Sequence, residues 1–286
     1  MSLFRTTLTL CSTLLVFLGG KLSANDIPYF TLITVPKSGS HLMIKTLYFL
    51  IQSPAVWHTK FPSYQYIPAE DGFLYTHFCV PPELEADYNE LPELKKIILI
   101  RDFRDAALSI VSQIKKTDWP GLTPEERAQF LKMPFEDQLL FVINFEYDVR
   151  EVAKDAPNSL QVSLAKLAKQ AAEYSKQPGV MTFRYEDLVG PSGGGSSAAQ
   201  IEQLRRLQQF LNIDIDEATL EEVARQIYGD DINPFGAGQF QNYASTFNIG
   251  VIGRWKECFN EQHKLAFKAK LGDTLVQLGY EKDLDW

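Results

Sequence analysis

The chain has 286 residues, 45% of them hydrophobic, and a formal net charge of −8. Its length and apolar content suffice to bury a substantial core in one domain of the larger α/β kind. The acidic balance excludes a general binder of nucleic acid or of anionic membranes, so an anionic ligand would have to be captured by local donors.

In chain order, residues 1–24 read as a secretory signal peptide. Arg5 is the cation of a short leading region, Leu8 to Leu18 is an apolar stretch interrupted by Thr and Ser, and Leu22-Ser23-Ala24 resembles a cleavage site. The stretch is shorter than the ~20 apolar residues a spanning helix needs. An uncleaved anchor or a start codon assigned too early are the alternatives. We therefore expect a leader over 1–24, a domain over 25–286 and export, with a cytoplasmic location as the alternative. Membrane contact would run only through an uncleaved leader. Cys11 falls in the leader, leaving Cys79 and Cys258. These could pair once but form no framework, so free, buried thiols are expected.

Beyond the leader, strands are expected at Tyr29–Val35, Leu94–Ile100 and Val180–Tyr185. Each precedes helical patterning, at Leu42–Ile51, Asp105–Lys116 and Ile201–Leu211 respectively. Further helices are expected at Phe135–Val152, Ser159–Ser175 and Glu217–Tyr228. Strands alternating with helices imply an α/β fold, a single domain with a mostly parallel central sheet flanked by helices. The run Gly190–Ser197, the one low-complexity patch, reads as a flexible loop rather than a boundary.

The most informative segment is Val35-Pro36-Lys37-Ser38-Gly39-Ser40-His41, between the first strand and the first helix. Glycine lets the chain turn sharply, successive backbone N–H groups can converge on one anion, and the helix that follows offers its positive end. Lys37 adds a mobile cation with three donors. This is a phosphate cradle, but not a Walker A loop, in which the lysine follows a second glycine and precedes a hydroxyl for magnesium. Here the lysine stands two residues before the glycine, which disfavours ATP or GTP hydrolysis. Arg101 also ends a strand of the expected sheet, where ligands of open parallel sheets bind.

Four segments, in order, carry a resemblance. Pro36-Lys37-Ser38-Gly39 resembles the loop of sulfotransferases that grips the 5′-phosphosulfate of 3′-phosphoadenosine 5′-phosphosulfate. Ile97-Ile98-Leu99-Ile100-Arg101-Asp102-Phe103-Arg104-Asp105, with Ser109 following, is similar to that family's 3′-phosphate motif. Phe183-Arg184-Tyr185-Glu186-Asp187-Leu188 resembles its Tyr-Glu-Asp-Leu segment near the adenine, and Gly250-Val251-Ile252-Gly253-Arg254-Trp255-Lys256 its C-terminal Gly-x-x-Gly-x-Trp-Lys segment.

The resemblance implies in-line transfer of a sulfuryl group to an acceptor oxygen, with that nucleotide as co-substrate and no metal. By analogy with phosphoryl transfer, positioning and electrostatic stabilisation should do most of the work. Lys37 is the candidate for stabilising the leaving phosphate oxygen; Ser38, Gly39, Ser40 and His41 would supply further donors. His77, in Leu74-Tyr75-Thr76-His77-Phe78, is the candidate base. Alternation places it opposite Thr76 and Phe78, an imidazole titrates near neutrality, and Thr76-His77 resembles the family's Thr-His context. A hydrogen-bonded structural histidine is the alternative. His41 would cap or line the loop, His58 border an acceptor pocket, and His263 be solvated in a polar helical stretch.

Arg101 and Ser109 would hold the 3′-phosphate, against an ion pair of Arg101 with Asp102 or Asp105. Arg104 could pair with its acidic neighbours. Tyr185 would contact adenine or be a core tyrosine with a satisfied hydroxyl, Gly250 would lie at the nucleotide, and Trp255 would anchor the C-terminal loop. The acceptor would be a small-molecule, lipid, carbohydrate or tyrosine hydroxyl. The aromatic residues Trp57, Phe61, Tyr64, Tyr66 and Phe73 could wall its pocket or belong to the core. The activated donor is made in the cytosol, so an exported enzyme would need a compartment supplied with it.

Three departures stand out. The Arg-Lys that often precedes the first glycine of the C-terminal segment is Asn248-Ile249, the aromatic that commonly ends the first loop is Leu42, and the lysine two before the candidate base is Tyr75. A non-catalytic nucleotide-binding or interaction protein on the same fold is therefore a competing expectation. A phosphotransferase lacks its Walker loop, and a thiol enzyme using Cys79 with His77 lacks an orienting group.

Overall fold

The computed structural model describes residues 30–51, the backbone of 73–76, and residues 95–119, 121–148, 161–229 and 249–286. The leader, His58, His77, Cys79, Asn248 and the side chains of the aromatic segment from Trp57 to Phe73 lie outside the described residues.

The elements are β1 (Phe30–Thr34), α1 (Ser40–Ile51), β2 (Phe73–Thr76), β3 (Lys95–Ile100) and α2 (Phe103–Lys116). Next come α3 (Pro124–Phe130), α4 (Phe135–Asn144), β4 (Glu146–Asp148), β5 (Gln161–Ser163), α5 (Leu164–Tyr174), β6 (Val180–Arg184) and α6 (Tyr185–Leu188). The chain closes with α7 (Ser197–Leu211), α8 (Glu217–Gln226), α9 (Trp255–Cys258) and α10 (Glu261–Gln277). Four strands form one parallel sheet in the order β2-β1-β3-β6. From β1 the chain goes to β2 on one side and then to β3 on the other. The carboxyl ends of β1 and β3, where Thr34 stands beside Leu99, therefore flank the crevice at which such sheets bind ligands.

The central strands are apolar on both faces because both faces are covered. Phe30 and Leu32 of β1 and Ile97 and Leu99 of β3 pack with Phe183, α1, α7 and α8. Ile33, Ile98 and Ile100 face the opposite way, onto α2, α4, α5 and α10. The fold class is the one expected, an α/β domain with a parallel sheet between helices.

Three expected elements differ. The helix expected to run to Val152 ends at Asn144, and β4 pairs antiparallel with β5. Phe141 and Phe145 have the i, i+4 spacing of a helix, but Phe145 and Tyr147 alternate as a strand does, and their rings stack 5.7 Å apart. Tyr147 is further fixed against Gly121, where an added Cβ would meet its ring at 2.3 Å. Likewise, the helix expected from Ser159 starts at Leu164, because Ser163 caps it by accepting from the Lys166 N–H while Val162 is buried in the hairpin.

Nor is the Gly190–Ser197 run a loose connector. Gly193 and Gly195 N–H both donate to the Gly190 carbonyl, at 3.1 and 2.8 Å, and Ser196 caps α7. The glycines are there because the turn is tight: a Cβ on Gly193 would lie 2.2 Å from Val189.

Candidate functional site

The loop after β1 is a short, strained connection. Lys37 has φ 67°, a left-handed value rare for a non-glycine residue, and Gly39 has φ 101°. The Ser38 hydroxyl donates to the Val35 carbonyl at 2.7 Å, and the Ser40 hydroxyl donates to Thr34 Oγ1 at 2.8 Å. Both side chains thus brace the loop from inside, and its offering to an anion is backbone N–H. Met43 is the first residue of α1 whose N–H reaches a helical carbonyl, that of Gly39 at 3.1 Å. Among the described residues, the N–H groups of Gly39 and Ser40 have no acceptor. His41 is half-buried in the first turn.

Lys37 Nζ donates to Gln113 Oε1 of α2 at 2.9 Å. Burial pushes its ammonium down to about 7, and the like charges of Arg101 and Lys116 add to the effect.

Arg101 leaves β3 buried, 7% exposed, and joins three pieces of chain. Its guanidinium donates to the carbonyls of Lys37 and Val251, each at 3.3 Å, and stacks 4.3 Å from the Tyr185 ring centroid. Its Nε is buried without a partner among the described residues. The ion pair with Asp102 or Asp105 is not formed; Asp102 is taken by Arg104. Ser109, two helical turns along α2, is half-buried.

Tyr185 is 5% exposed and its hydroxyl donates to the Gly250 carbonyl at 2.6 Å; burial pushes its pKa up to about 12. The ring lies so close to the cradle that a Cβ on Gly39 would fall 2.3 Å from its Cδ2. Glycine at 39 is therefore required twice, by φ and by the ring.

The segment from Ile249 to Trp255 is held from several sides through its backbone. Tyr228 donates to the Ile249 carbonyl at 2.7 Å, and Ile252 N–H donates to Gly193 at 3.0 Å. The two carboxylate oxygens of Asp105 accept from the N–H groups of Gly253 (2.6 Å) and Trp255 (2.9 Å). Burial raises the Asp105 carboxyl above its usual range, partly offset by Arg101 and by these two N–H groups.

Behind Arg101, Arg104 is 1% exposed and pairs with Asp102 at 2.7 Å and with Glu281. It lies between the indoles of Trp255 (3.6 Å) and Trp286 (4.4 Å). Asp102 caps α2, and its own N–H donates to Glu186 Oε1 at 2.8 Å. Glu186 also accepts from the Tyr280 hydroxyl at 3.0 Å, and burial raises its pKa. Trp255 thus anchors the C-terminal segment, as expected.

Of the residues singled out in sequence, the fold brings together Lys37, Ser38, Gly39, Ser40, Arg101, Tyr185 and Gly250. His263 is not solvated. It is fully buried, its Nδ1 accepts from the Asn260 N–H in a capping box, and its Nε2 donates to the Glu136 carbonyl at 2.9 Å. Asn260, three residues before it, was the signal for that role. Cys258 is a free, half-buried thiol.

Sequence reading missed Asp105, Gln113, Glu186, Tyr228 and Tyr280 as parts of the site. Asp105 carries a local signal, four residues before Ser109 on the same helix, and Glu186 lies within the quoted Tyr185-Glu186-Asp187-Leu188 segment. Among the described residues there is no group of three or more His, Cys, Asp or Glu that could hold a metal ion, and no helix long and apolar enough to cross a membrane.

Comparison with known proteins gives a family. The family described as "Sulfotransferase domain" matches residues 28–279. No curated protein matches the chain in sequence. Among solved structures, mouse sulfotransferase SULT7A1 complexed with PAP is similar at TM-score 0.55 and 17% identity, covering 89% of each chain. Retinol dehydratase in complex with androsterone and inactive cofactor PAP gives TM-score 0.53 and 14% identity, over 86% of this chain and 80% of that one. The same enzyme with retinol and PAP gives TM-score 0.53 and 14% identity, over 87% and 81%. At these identities the likeness is one of fold.

Proposed function

Because the chain belongs to the sulfotransferase domain family, we propose that it moves a sulfuryl group in line from 3′-phosphoadenosine 5′-phosphosulfate to a hydroxyl acceptor. In this reading Lys37 stabilises the leaving phosphate oxygen and His77 is the base. The observation that carries it is the pair Lys37 and Arg101, at the ends of neighbouring parallel strands, with a buried Arg101 Nε that has no protein partner among the described residues. A Lys37 whose pKa is lowered by burial first, and further by the charge of Arg101, suits together with Arg101 a ligand that brings negative charge at both ends. PAP, which the neighbouring structures hold, is adenosine 3′,5′-bisphosphate, the form the donor takes once its sulfuryl group has left.

The residues fit that group. The N–H groups of Gly39 and Ser40, at the start of α1, would meet the 5′-phosphate together with Lys37. Arg101 and Ser109 would hold the 3′-phosphate, and Gly250 and Tyr185 would border the nucleoside. The donor supplies an activated sulfuryl group on its 5′-phosphate. Lys37 supplies positive charge where the leaving oxygen gains negative charge, and the cradle fixes that oxygen without a metal. β2 ends at Thr76, paired with Ile33 at the sheet end from which the Lys37 loop departs, and His77 is the next residue in sequence. An imidazole can take an acceptor proton near neutral pH. Acceptors of the androsterone or retinol kind, which retinol dehydratase binds, set the first compounds to try, ahead of carbohydrate or tyrosine hydroxyls.

Ile249, 51% exposed where the family often has a cation, favours a second reading: a nucleotide-binding protein on this fold without catalysis. Calorimetry with adenosine 3′,5′-bisphosphate and 5′-AMP tests the site, and turnover of the labelled donor with and without His77→Gln tests the chemistry. We expect the bisphosphate to bind at least about 10-fold tighter, as a charge-assisted phosphate contact predicts. We expect Lys37→Ala to weaken both nucleotides and His77→Gln to abolish transfer while binding persists. Turnover that survives His77→Gln would remove the base assignment. Binding without turnover would favour the second reading, and equal binding of the two nucleotides would end the donor reading.

A further inference from the structure

We propose that Asp105 is a positioning residue for the 3′-phosphate end of the site: its carboxylate latches the Gly250–Trp255 segment against Arg101. The inference rests on the donor reading above. Asp105 stands on the first turn of α2, one helical turn before Ser109 and four residues after Arg101, which precedes the helix. It is 2% exposed and spends both oxygens on the N–H groups of Gly253 and Trp255. Among the described residues, no other side chain takes N–H groups of that segment. The other side-chain hydrogen bonds to it, from Tyr185 and Arg101, end on the carbonyls of Gly250 and Val251, and one backbone bond runs from the Ile252 N–H to the Gly193 carbonyl.

The latch has a direct consequence for Arg101. One arm of the guanidinium donates to the Val251 carbonyl and the other to the Lys37 carbonyl. Its orientation therefore depends on where the C-terminal segment sits, and Asp105 sets that. With Asn248-Ile249 in place of a cationic pair, the segment brings no positive side chain of its own at those positions. Whatever the segment offers a phosphate, through its backbone or through Arg254, works only if the backbone is held in place.

Charge alone predicts the opposite sign. Asp105 is a carboxylate next to an anion site, so removing its charge would strengthen phosphate binding if it acted only as a neighbour of Arg101. The two roles are therefore separable by direction.

The test is calorimetry on Asp105→Ala and Asp105→Asn, each with adenosine 3′,5′-bisphosphate and with 5′-AMP, alongside hydrogen exchange at the Gly253 and Trp255 amides. Losing two hydrogen bonds to a charged acceptor is expected to cost roughly 10- to 100-fold in bisphosphate affinity for Asp105→Ala. The 5′-AMP affinity should change by about twofold or less, since its phosphate meets the Lys37 cradle. Asp105→Asn, nearly isosteric and still offering one acceptor, should fold, bind with intermediate affinity and exchange both amides faster. Equal or tighter bisphosphate binding in the variants overturns the inference, as does an equal loss for both nucleotides, the mark of a merely structural role. A wild-type protein that binds both nucleotides alike defeats the donor reading and this inference with it. A wild-type preference kept in full by both variants defeats the inference alone.

Discussion

Raising the pH from 7 to 9 should weaken nucleotide binding through one residue, Lys37. Its ammonium is pushed down to about 7 by burial and by the nearby charges of Arg101 and Lys116. A bound phosphate would replace the lost solvation and return that pKa upward, so binding must carry a proton with it. At pH 7 about half of the free protein is already protonated at Lys37, whereas at pH 9 about 1% is, by the ordinary titration relation. Kd should therefore rise roughly fivefold between pH 7 and 8 and about tenfold between 8 and 9, until the bound-state pKa is reached. The phosphate's own second ionisation, near pH ~6, is nearly complete over this range and does not counterfeit the slope.

The free fold responds with the opposite sign. A lysine whose folded pKa lies below its unfolded 10.5 binds its proton more tightly in the unfolded chain, so stability rises with pH between about 7 and 10.5 while affinity falls. The assay is isothermal calorimetry with adenosine 3′,5′-bisphosphate at pH 7, 8 and 9, in buffers of different ionisation heat. Proton uptake should approach one at pH 9, and Lys37→Met should flatten both uptake and slope. A wild-type Kd that stays constant from pH 7 to 9 without proton uptake would refute the reasoning, as would an unchanged slope in Lys37→Met.

Two further substitutions probe the frame. Gly39→Ala places a methyl group 2.3 Å from a Tyr185 ring that is held by Gly250 and Arg101, at a φ of 101°; we expect a loss of about 1–3 kcal/mol in denaturant unfolding. A cost below about 0.5 kcal/mol would mean that the ring moves aside freely. Arg104→Met leaves the buried Asp102 carboxylate without its cation, for which removal of one partner of a buried pair costs roughly 3–5 kcal/mol. A drop of the unfolding free energy by under about 1 kcal/mol would show that the pair is dispensable to the fold.

The fold was legible where periodicity and chemistry agreed. β1, β3 and β6 are apolar because both sheet faces are covered, and each expected strand runs to within a residue of its observed ends. Reading failed where two periods overlapped. Phe141 and Phe145 keep helical spacing while Phe145 and Tyr147 keep strand spacing, and only packing against Gly121 and the pairing of Tyr147 with Val162 reveal that the helix has already ended. The glycine run failed in a different way. Composition marks it as flexible, but its glycines are selected by close approach, with Val189 2.2 Å from the Cβ that Gly193 lacks.

Within the site, the residues proposed to meet a ligand were visible as local patterns, whereas the long-range contacts that hold them were not. Glu186 braces the Asp102 N–H across 84 positions of sequence and Asp105 reaches Gly253 across 148, distances over which no spacing rule operates. The same arrangement bears on the departure at Asn248-Ile249. Arg101 ties the Lys37 loop to Val251 through carbonyls, Tyr185 ties the cradle to Gly250 through a carbonyl, and Asp105 ties α2 to the segment through amides. None of these contacts uses a side chain at 248 or 249. The absence of a cationic pair there leaves these contacts as they are and takes charge away from the segment. The cost of that absence should therefore appear in the strength and salt dependence of nucleotide binding rather than in which nucleotide is chosen.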